Sequence, residues 1–236
     1  NIGRSQFHLP MGEAQVLRGR TGLVLPDRAA LLQRLEMVKE PLAGTKFAYQ
    51  AHNDYVEATC PWGNKIRCHA PASKFGNLQL GMPYVEFDVP LGTAEGIARF
   101  YREIMETAAE VVEEDGGKVA CASVGQNQVL RLRETGVAAP AYDGHHVAIY
   151  IVNFSRPHGR LKARGLVSEE SNQYQYRFTD IVDPESGRLL FQIEHEVRCM
   201  THPLYARPLV NRNPAQTNNA YAPGHEVQPW ALPYAH

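Results

Sequence analysis

The chain has 236 residues, of which 44% are hydrophobic, and a formal net charge of −1. This composition is typical of a globular protein with one large domain or two small ones. The chain has no excess of basic residues that would favour nucleic-acid binding. It also has no apolar run of about 18 residues that would favour a membrane span. The four cysteines have no metal-site spacing. Cys60 and Cys68 flank a turn and could approach each other, but reduced thiols are expected in a cytosolic protein. We therefore expect a cytoplasmic protein.

Taken in chain order, the first predicted elements form a strand, a helix and further strands. A strand over residues 18–25 is followed by a helix that begins near Pro26 and Asp27, residue types that favour a helix N-terminus. Strands are predicted at 46–50 and 54–59, and another at 65–69 follows the turn Cys60-Pro-Trp-Gly-Asn64.

The same order of elements then occurs twice more. The second unit opens with a strand over residues 84–89, followed by a helix that Thr93 is expected to cap and by strands at 118–124 and 128–133. The third opens at His145, continues with a short helix from Ser155 that ends at Gly165, and finishes with strands at 174–181 and 189–197. Repetition of this kind predicts an array of similar modules.

The two ends of the chain are interpreted separately. Residues 4–10 are predicted to form a strand that ends an earlier, truncated unit, with a lone extra strand as the alternative. The units would then pair as domains 1–75 and 76–200. Residues 201–236 are rich in Pro, Asn, Gln and Tyr, so we expect an extended arm through which the protein forms a homo-oligomer.

The sequence resembles the vicinal oxygen chelate superfamily, which includes glyoxalase I, bleomycin-resistance proteins and extradiol dioxygenases. The resemblance rests on Val85-Glu-Phe-Asp-Val-Pro90, on Ile97-Ala-Arg-Phe-Tyr101, and on the turn Asp183-Pro-Glu-Ser-Gly187, with Cys60–Asn64 as a variant of that turn. It covers about residues 1–200. It implies an α+β fold in which repeated βαβββ modules form two cup-shaped mixed sheets.

A metal site is suggested by two residues of the third unit. His146 begins one strand and Glu194 lies on the last, and an imidazole with a carboxylate supplies two thirds of a 2-His-1-carboxylate site. Gln192 and Glu196 point the same way as Glu194 and remain alternatives. The resemblance places these residues at metal positions for Fe(II) or Mn(II), but it places Tyr84, which is not an imidazole, where the first histidine is expected.

The remaining candidate residues are assigned to substrate binding or catalysis. Arg131, Arg67 and Gln128 are expected to bind substrate, since a guanidinium group pairs bidentately with a carboxylate or phosphate. His8, on the predicted N-terminal strand, is a candidate general base or ligand. Tyr84 and Tyr176 are further catalytic candidates, although Tyr176 also suits an ordinary strand position.

The resemblance implies a metal-dependent oxygenase of the extradiol ring-cleavage type that acts on a small aromatic compound. Two alternatives remain open at this point. One is a metal-free small-molecule binding or resistance protein, which Arg131 and Tyr84 favour. The other is an isomerase or lyase like glyoxalase I.

Overall fold

A computed structural model describes residues 2–9 and 11–205 of the chain, and this part contains three successive βαβββ units. Unit one comprises β1 (Gly19–Val24), α1 (Arg28–Met37), β2 (Ala48–Ala51), β3 (Tyr55–Thr59) and β4 (Lys65–His69). Unit two comprises β5 (Gly81–Pro90), α2 (Ala94–Glu103), β6 (Ala109–Glu114), β7 (Gly117–Gly125) and β8 (Gln128–Thr135). Unit three comprises β9 (His146–Ile151), α3 (Ser155–Ala163), β10 (Val167–Asn172), β11 (Gln175–Val182) and β12 (Leu189–Cys199).

The first helix begins where the sequence predicts, because the carboxylate of Asp27 accepts a hydrogen bond from the backbone N–H of Ala30 at 2.8 Å. The expected cap at Thr93 is wrong. Its hydroxyl donates to the carbonyl of Pro90 instead, and the N–H of Ala94 donates to the carboxylate of Glu134. A strand next to the helix therefore supplies the capping group.

Units one and two share one eight-stranded sheet in the order β2-β3-β4-β1-β5-β8-β7-β6. Within each unit the first and last strands are parallel, and β1 joins β5 in antiparallel pairing at the centre. Unit three forms a separate sheet in the order β10-β11-β12-β9. The α+β class with two mixed sheets is confirmed.

The change from one sheet to the other does not fall at the predicted domain boundary between residues 75 and 76. That boundary would separate β4 from β5, which lie in the same sheet, whereas the change of sheet occurs between β8 and β9. The physical reason is that the first strands of units one and two form hydrogen bonds with each other. Unit two is therefore the sheet partner of unit one and not of unit three.

The strand predicted over residues 4–10 is absent from residues 2–9, and no truncated fourth unit is present in this described segment. Ile2 and Ser5 form an isolated bridge, and Gly3 between them has a φ of 58°. A tight turn over residues 2–5 and irregular backbone over residues 6–9 thus take the place of the extended strand. At the other end, residues 201–205 form turns, and the rest of the predicted arm, with its proposed role in oligomerisation, lies outside the described residues.

The main core lies between the two sheets. Helix α2 packs against β6, β7 and β8 of the large sheet and against β11 of the small one. Its residues Ile97, Phe100 and Tyr101 are almost fully buried. Unit one has a smaller core, in which Leu23, Val56 and Cys68 meet the apolar side of α1. In both units of the large sheet, therefore, the helix covers one face and leaves the other for polar side chains.

No helix among the described residues is long and apolar enough to cross a membrane. All four cysteines are free thiols, as the sequence predicts.

Candidate functional site

The face of the eight-stranded sheet opposite the helices carries four arginines, and we call it the arginine face. Strand alternation places Arg20 of β1, Arg67 of β4, and Arg131 and Arg133 of β8 on this side, while Leu130 and Leu132 enter the core. In register with these arginines, β5 contributes Tyr84 and Glu86 and β1 contributes Gly22.

Glu86 lies at the centre of the charges on this face, with only 4% of its side chain exposed. Arg131 Nε donates to its carboxylate at 2.9 Å, Arg133 Nε at 3.3 Å, and Arg20 Nε lies 3.1 Å away. Burial acts to raise the pKa of Glu86, but the hydrogen bond from Arg131 and the charges of Arg133 and Arg20 outweigh it, so the pKa is lowered. Glu86 is therefore an anion near neutral pH.

Glu114 on β6 closes the same network. Its carboxylate accepts from Arg131 Nη2 at 2.5 Å and from Arg133 Nη2 at 3.1 Å. Three guanidinium groups thus meet two carboxylates, and one positive charge remains uncompensated within this cluster. The neighbouring Lys65, Asp88 and Glu110 add one positive and two negative charges, so the surplus is confined to the cluster itself. An anion that reaches the three guanidinium groups directly is the ligand that this local surplus favours.

Tyr84 lies among these charges with its ring over Gly22. A Cβ atom at Gly22 would come within 2.3 Å of the ring, so the ring takes the space that the glycine leaves. The hydroxyl group of Tyr84 is 2.9 Å from Nε2 of His69 on β4, and the Arg131 guanidinium lies 5.8 Å from the ring centroid. The sheet register thus brings together a phenol, an imidazole and an arginine.

Both the phenol and the imidazole are neutral near pH 7. Burial raises the pKa of Tyr84 to about 12, although the charge of Arg67 opposes the shift. Burial, helped by the charges of Lys74 and Arg67, lowers the pKa of His69 to about 4. Near neutral pH this pair contributes hydrogen-bonding groups without adding net charge.

Arg67 stands beside this pair on β4. Its Nε donates to Glu57 at 2.9 Å, and its guanidinium lies over the ring of Tyr55, 4.7 Å from the centroid. These contacts hold the guanidinium group in one orientation on the sheet. Arg67, Arg131 and Tyr84 therefore lie on one face of one sheet, and their predicted roles in binding and catalysis stay predictions.

The two predicted metal ligands are next to each other on the small sheet. His146 and Glu194 are register partners on the parallel strands β9 and β12, so their side chains leave the sheet on the same side. Glu194, however, accepts a hydrogen bond from Arg177 at 2.8 Å. Glu196, the alternative, pairs with Arg177 and Arg198. Both carboxylates are thus already ion-paired with arginine.

The described residues offer too few donors for a metal ion. Among residues 2–9 and 11–205, no group of three or more His, Cys, Asp or Glu side chains could hold one. Tyr84 cannot complete the pair of His146 and Glu194, because it lies on the other sheet and on the face directed away from the shared core. The described donor set does not fit a divalent metal, since two donors fall short of a facial site.

Three predicted site residues lie neither on the arginine face nor on the side of the small sheet that carries His146 and Glu194. Tyr176 is buried in the core, 1% exposed, between Phe154 and His158, which does not suit the predicted catalytic role. His8 is exposed in the irregular N-terminal segment and not on a strand of the sheet. Gln128 donates to the Ser5 hydroxyl and the Met82 carbonyl, and alternation along β8 places it opposite Arg131. Gln128 thus holds the N-terminal turn.

Several residues of the arginine face escaped the sequence analysis. Glu86, Glu114, His69 and Gly22 were not proposed, although alternation from Tyr84 along β5 places Glu86 on the same face. This alternation was thus a sequence signal that could have identified Glu86. The position of Glu114 on β6 was not, because that acidic strand was not predicted.

Solved structures with similar folds were found, all at low sequence identity. The crystal structure of glyoxalase I from Zea mays matches at a TM-score of 0.51 and 15% identity, covering 77% of this chain and 66% of that one. A mutant of the same enzyme gives 0.52 and 12%, with 77% and 68% covered. A candidate dioxygenase from Bacillus subtilis gives 0.48 and 13%, with 78% and 62% covered. The chain spans about two thirds of these proteins.

No protein-family model matches the sequence, and no curated protein matches it. At these identities the structural likeness concerns the fold and not the activity. The repeated βαβββ units, the pairing of two such units through their first strands, and the similarity to glyoxalase I lead to one assignment. This protein has the vicinal oxygen chelate fold.

Proposed function

We propose that the protein binds a small organic anion, a carboxylate or a phosphate, on the arginine face. The observation that carries this proposal is the surplus positive charge of Arg20, Arg131 and Arg133 over Glu86 and Glu114. Arg67 adds a fourth guanidinium group on the same face. This is the metal-free binding function that the sequence left open as an alternative.

The chemistry of the face suits such a ligand. Guanidinium groups bind carboxylates and phosphates through paired N–H donors. The ion pairs with Glu86 and Glu57 hold Arg20 and Arg67 in place before a ligand arrives, which reduces the entropy lost on binding. The ring of Tyr84 provides an apolar surface next to these cations, so an aromatic acid would place its ring and its carboxylate together.

Isothermal titration calorimetry with benzoate and with inorganic phosphate tests this proposal. We expect binding of at least one of these anions, and Arg20→Gln should weaken it about tenfold or more, since a hydrogen bond to a charged group contributes about 1.5–3 kcal/mol. The matched control is Arg34→Gln, an exposed arginine on α1, which should bind like the unaltered protein. Failure of both anions to bind would contradict the proposal, as would an equal loss of affinity in the two variants.

A second candidate is the metal-dependent oxygenase of extradiol type, with Fe(II) or Mn(II) and a small aromatic substrate. The observation in its favour is the register of His146 with Glu194 on adjacent strands. It requires a third donor from outside the described residues and the release of Glu194 from Arg177. An isomerase or lyase like glyoxalase I would need the same third donor and the same release of Glu194 from Arg177.

Metal analysis after anaerobic loading with Fe(II) or Mn(II) tests the second candidate, together with oxygen uptake over a set of catechols. Near-stoichiometric metal that His146→Ala abolishes would support it. Metal without oxygen uptake would favour the isomerase or lyase. Metal content unaffected by His146→Ala would overturn the assignment of this residue.

A further inference from the structure

The small sheet has a polar face on the side opposite the shared core, and we call it the acidic face. Strand alternation places on this side His146, Ala148 and Tyr150 of β9 together with Gln192, Glu194, Glu196 and Arg198 of β12. Ala148 lies at the centre of the β9 residues on this side and is exposed, so the face is open to solvent there.

Negative charge predominates on the acidic face. Its charged side chains are four carboxylates and two guanidinium groups, those of Glu169, Asp180, Glu194 and Glu196 and of Arg177 and Arg198. The two arginines pair with three of the carboxylates, whereas Asp180 accepts from the side-chain amide of Gln192 at 2.9 Å. At the rim, Arg18 and Asp143 carry opposite charges. Two negative charges thus remain uncompensated, and a cationic partner suits the face.

After β12 the chain turns back onto this face. The N–H of His202 donates to the carbonyl of Cys199 at 3.1 Å, and the N–H of Tyr205 donates to the carbonyl of His202 at 2.9 Å. These two turns bring the rings of His202 and Tyr205 to 6.0 and 5.3 Å from the ring of Tyr150. Residue 206 therefore follows directly from a segment that already lies on the acidic face.

The next eight residues, Ala206-Arg-Pro-Leu-Val-Asn-Arg-Asn213, match this face in charge and in length. They carry two arginines and no acidic residue. Fully extended they reach about 26 Å, at about 3.3 Å per residue. Four strands about 4.8 Å apart span only about 14 Å. Leu209 and Val210 supply apolar side chains for Ala148 and Tyr150, and Pro208 lacks the N–H that an added strand would use.

We propose that residues 206–213 lie across the acidic face of their own chain, over Ala148. Arg207 and Arg212 then supply the positive charge that this face lacks. The arginine face of the large sheet suits the segment less well, because it carries four arginines of its own.

This docking depends on neither candidate function, but it affects them differently. The segment would cover His146 and Glu194, the pair on which the metal-dependent candidate rests. The arginine face, which belongs to the other sheet, would stay open to an anion.

Limited trypsin digestion of the full chain tests the proposal. Trypsin cleaves after Arg212 but not after Arg207, because Pro208 follows Arg207, so release of residues 213–236 reports on this segment. We expect slow release from the unaltered protein. Ala148→Arg should speed release about tenfold or more, because its long cationic side chain takes the place of the segment and cleavage follows the population of the undocked form. Mass spectrometry identifies the bond that is cut.

The matched control is Ser123→Arg, at an exposed position on β7 of the large sheet, which should release the fragment as slowly as the unaltered protein. Circular dichroism checks that both variants are folded. Release from the unaltered protein as fast as from the urea-unfolded chain would overturn the proposal. Slow release that Ala148→Arg leaves unchanged would overturn it too, because the segment would then lie elsewhere. Protection that increases with protein concentration would assign the segment to a second copy and would have the same consequence.

Arg207→Glu is a second variant, and it leaves the sheet itself unaltered. Reversing this charge places a carboxylate against the acidic face, so release should again quicken about tenfold or more. Raising the salt concentration should speed release from the unaltered protein and narrow the difference between the two. Equal release rates for Arg207→Glu and the unaltered protein would show that charge does not hold the segment and would contradict the proposal.

These measurements are independent of the anion titrations. An undocked segment leaves anion binding on the arginine face standing. Failure of benzoate and phosphate to bind leaves the docking standing.

Discussion

At the residue scale, the position of the Tyr84 ring depends on the missing side chain of Gly22. Any Cβ atom there would overlap the ring, whose hydroxyl group is 2.9 Å from Nε2 of His69. The phenol and the imidazole come from β5 and β4, which are separated by β1, so only a side chain that crosses the glycine can join them.

We predict that Gly22→Ala destabilises the protein by about 1–3 kcal/mol, because the added methyl group displaces the ring. Urea unfolding at pH 7 measures this change. Gly159→Ala is the control, since a Cβ atom at that position in α3 meets nothing within 4 Å and helix propensity favours alanine over glycine. A Gly22→Ala variant as stable as the original protein would show that the ring has room to move.

His195 is a polar side chain buried in the core, and its protonation state is fixed by its neighbours. Its Nδ1–H donates to the carbonyl of Ile193 at 2.9 Å, which leaves Nε2 to accept from the hydroxyl of Tyr101 at 2.7 Å. The ring stacks on Phe178, and burial lowers its pKa to about 4. The neutral imidazole is therefore the form that the folded state accommodates.

This depressed pKa predicts a pH dependence of stability. The unfolded chain takes up a proton near pH 6.5, whereas the folded protein does so only near pH 4, so stability is complete above pH 6.5 and is lost between these values. The loss from His195 amounts to about 3 kcal/mol between pH 7 and pH 4. Urea unfolding across this range should show it, and the double variant Tyr101→Phe with His195→Leu should lack this component. His69 shifts in the same direction and remains in both proteins.

At the scale of elements, the ion-pair network joins strands through their side chains as well as through the backbone. Glu86 on β5 connects Arg20 of β1 with Arg131 and Arg133 of β8, and Glu114 extends the contact to β6. A charge this deeply buried is tolerated because several opposite charges compensate its lost hydration.

We predict that Glu86→Gln destabilises the protein by about 3 kcal/mol or more, because three arginines would lose their central partner. The control is Glu95→Gln, which breaks an exposed pair with Lys118 and should cost less than about 1 kcal/mol. Equal effects of the two substitutions on chemical unfolding would mean that the network contributes no more than a surface pair.

At the scale of the whole molecule, the two sheets depend on one core. Phe100 of α2 and Phe178 of β11 meet with ring centroids 5.7 Å apart, and Phe87 of the large sheet meets Phe191 of the small one at 5.9 Å. Damage to this core is therefore expected to affect both sheets.

We predict that Phe178→Ala destabilises the protein by about 3–5 kcal/mol, the usual cost of a cavity left by a buried aromatic side chain. Amide exchange should quicken together in β7 and β8 of the large sheet and in β11 and β12 of the small sheet. Leu189→Ala, at a half-exposed position on β12, should change stability by about 0.5 kcal/mol at most. Faster exchange confined to the small sheet would show that the two sheets unfold independently.

Most of the fold was predictable because local patterns carry it. Alternation along β5, the helix N-terminus at Asp27 and the turn at 183–187 indicated repeated βαβββ units without any knowledge of contacts. The edge strands β6 and β10 escaped because their acidic residues suit solvent and carry little strand signal. The N-terminal strand was wrong because its pattern predicts an extended segment but cannot supply a neighbouring strand.

The sequence by itself determined the order of the three units and the face on which the residues of each predicted strand lie, since these follow from periodicity along one segment. Only the tertiary structure decided which units share a sheet, because hydrogen bonding between β1 and β5 depends on strands distant in the chain. The same holds for the candidate sites. Alternation assigned a face of the sheet to His146 and to Glu194. The arginines that form ion pairs with Glu86 and Glu194, however, lie on neighbouring strands, and no single segment encodes such a contact.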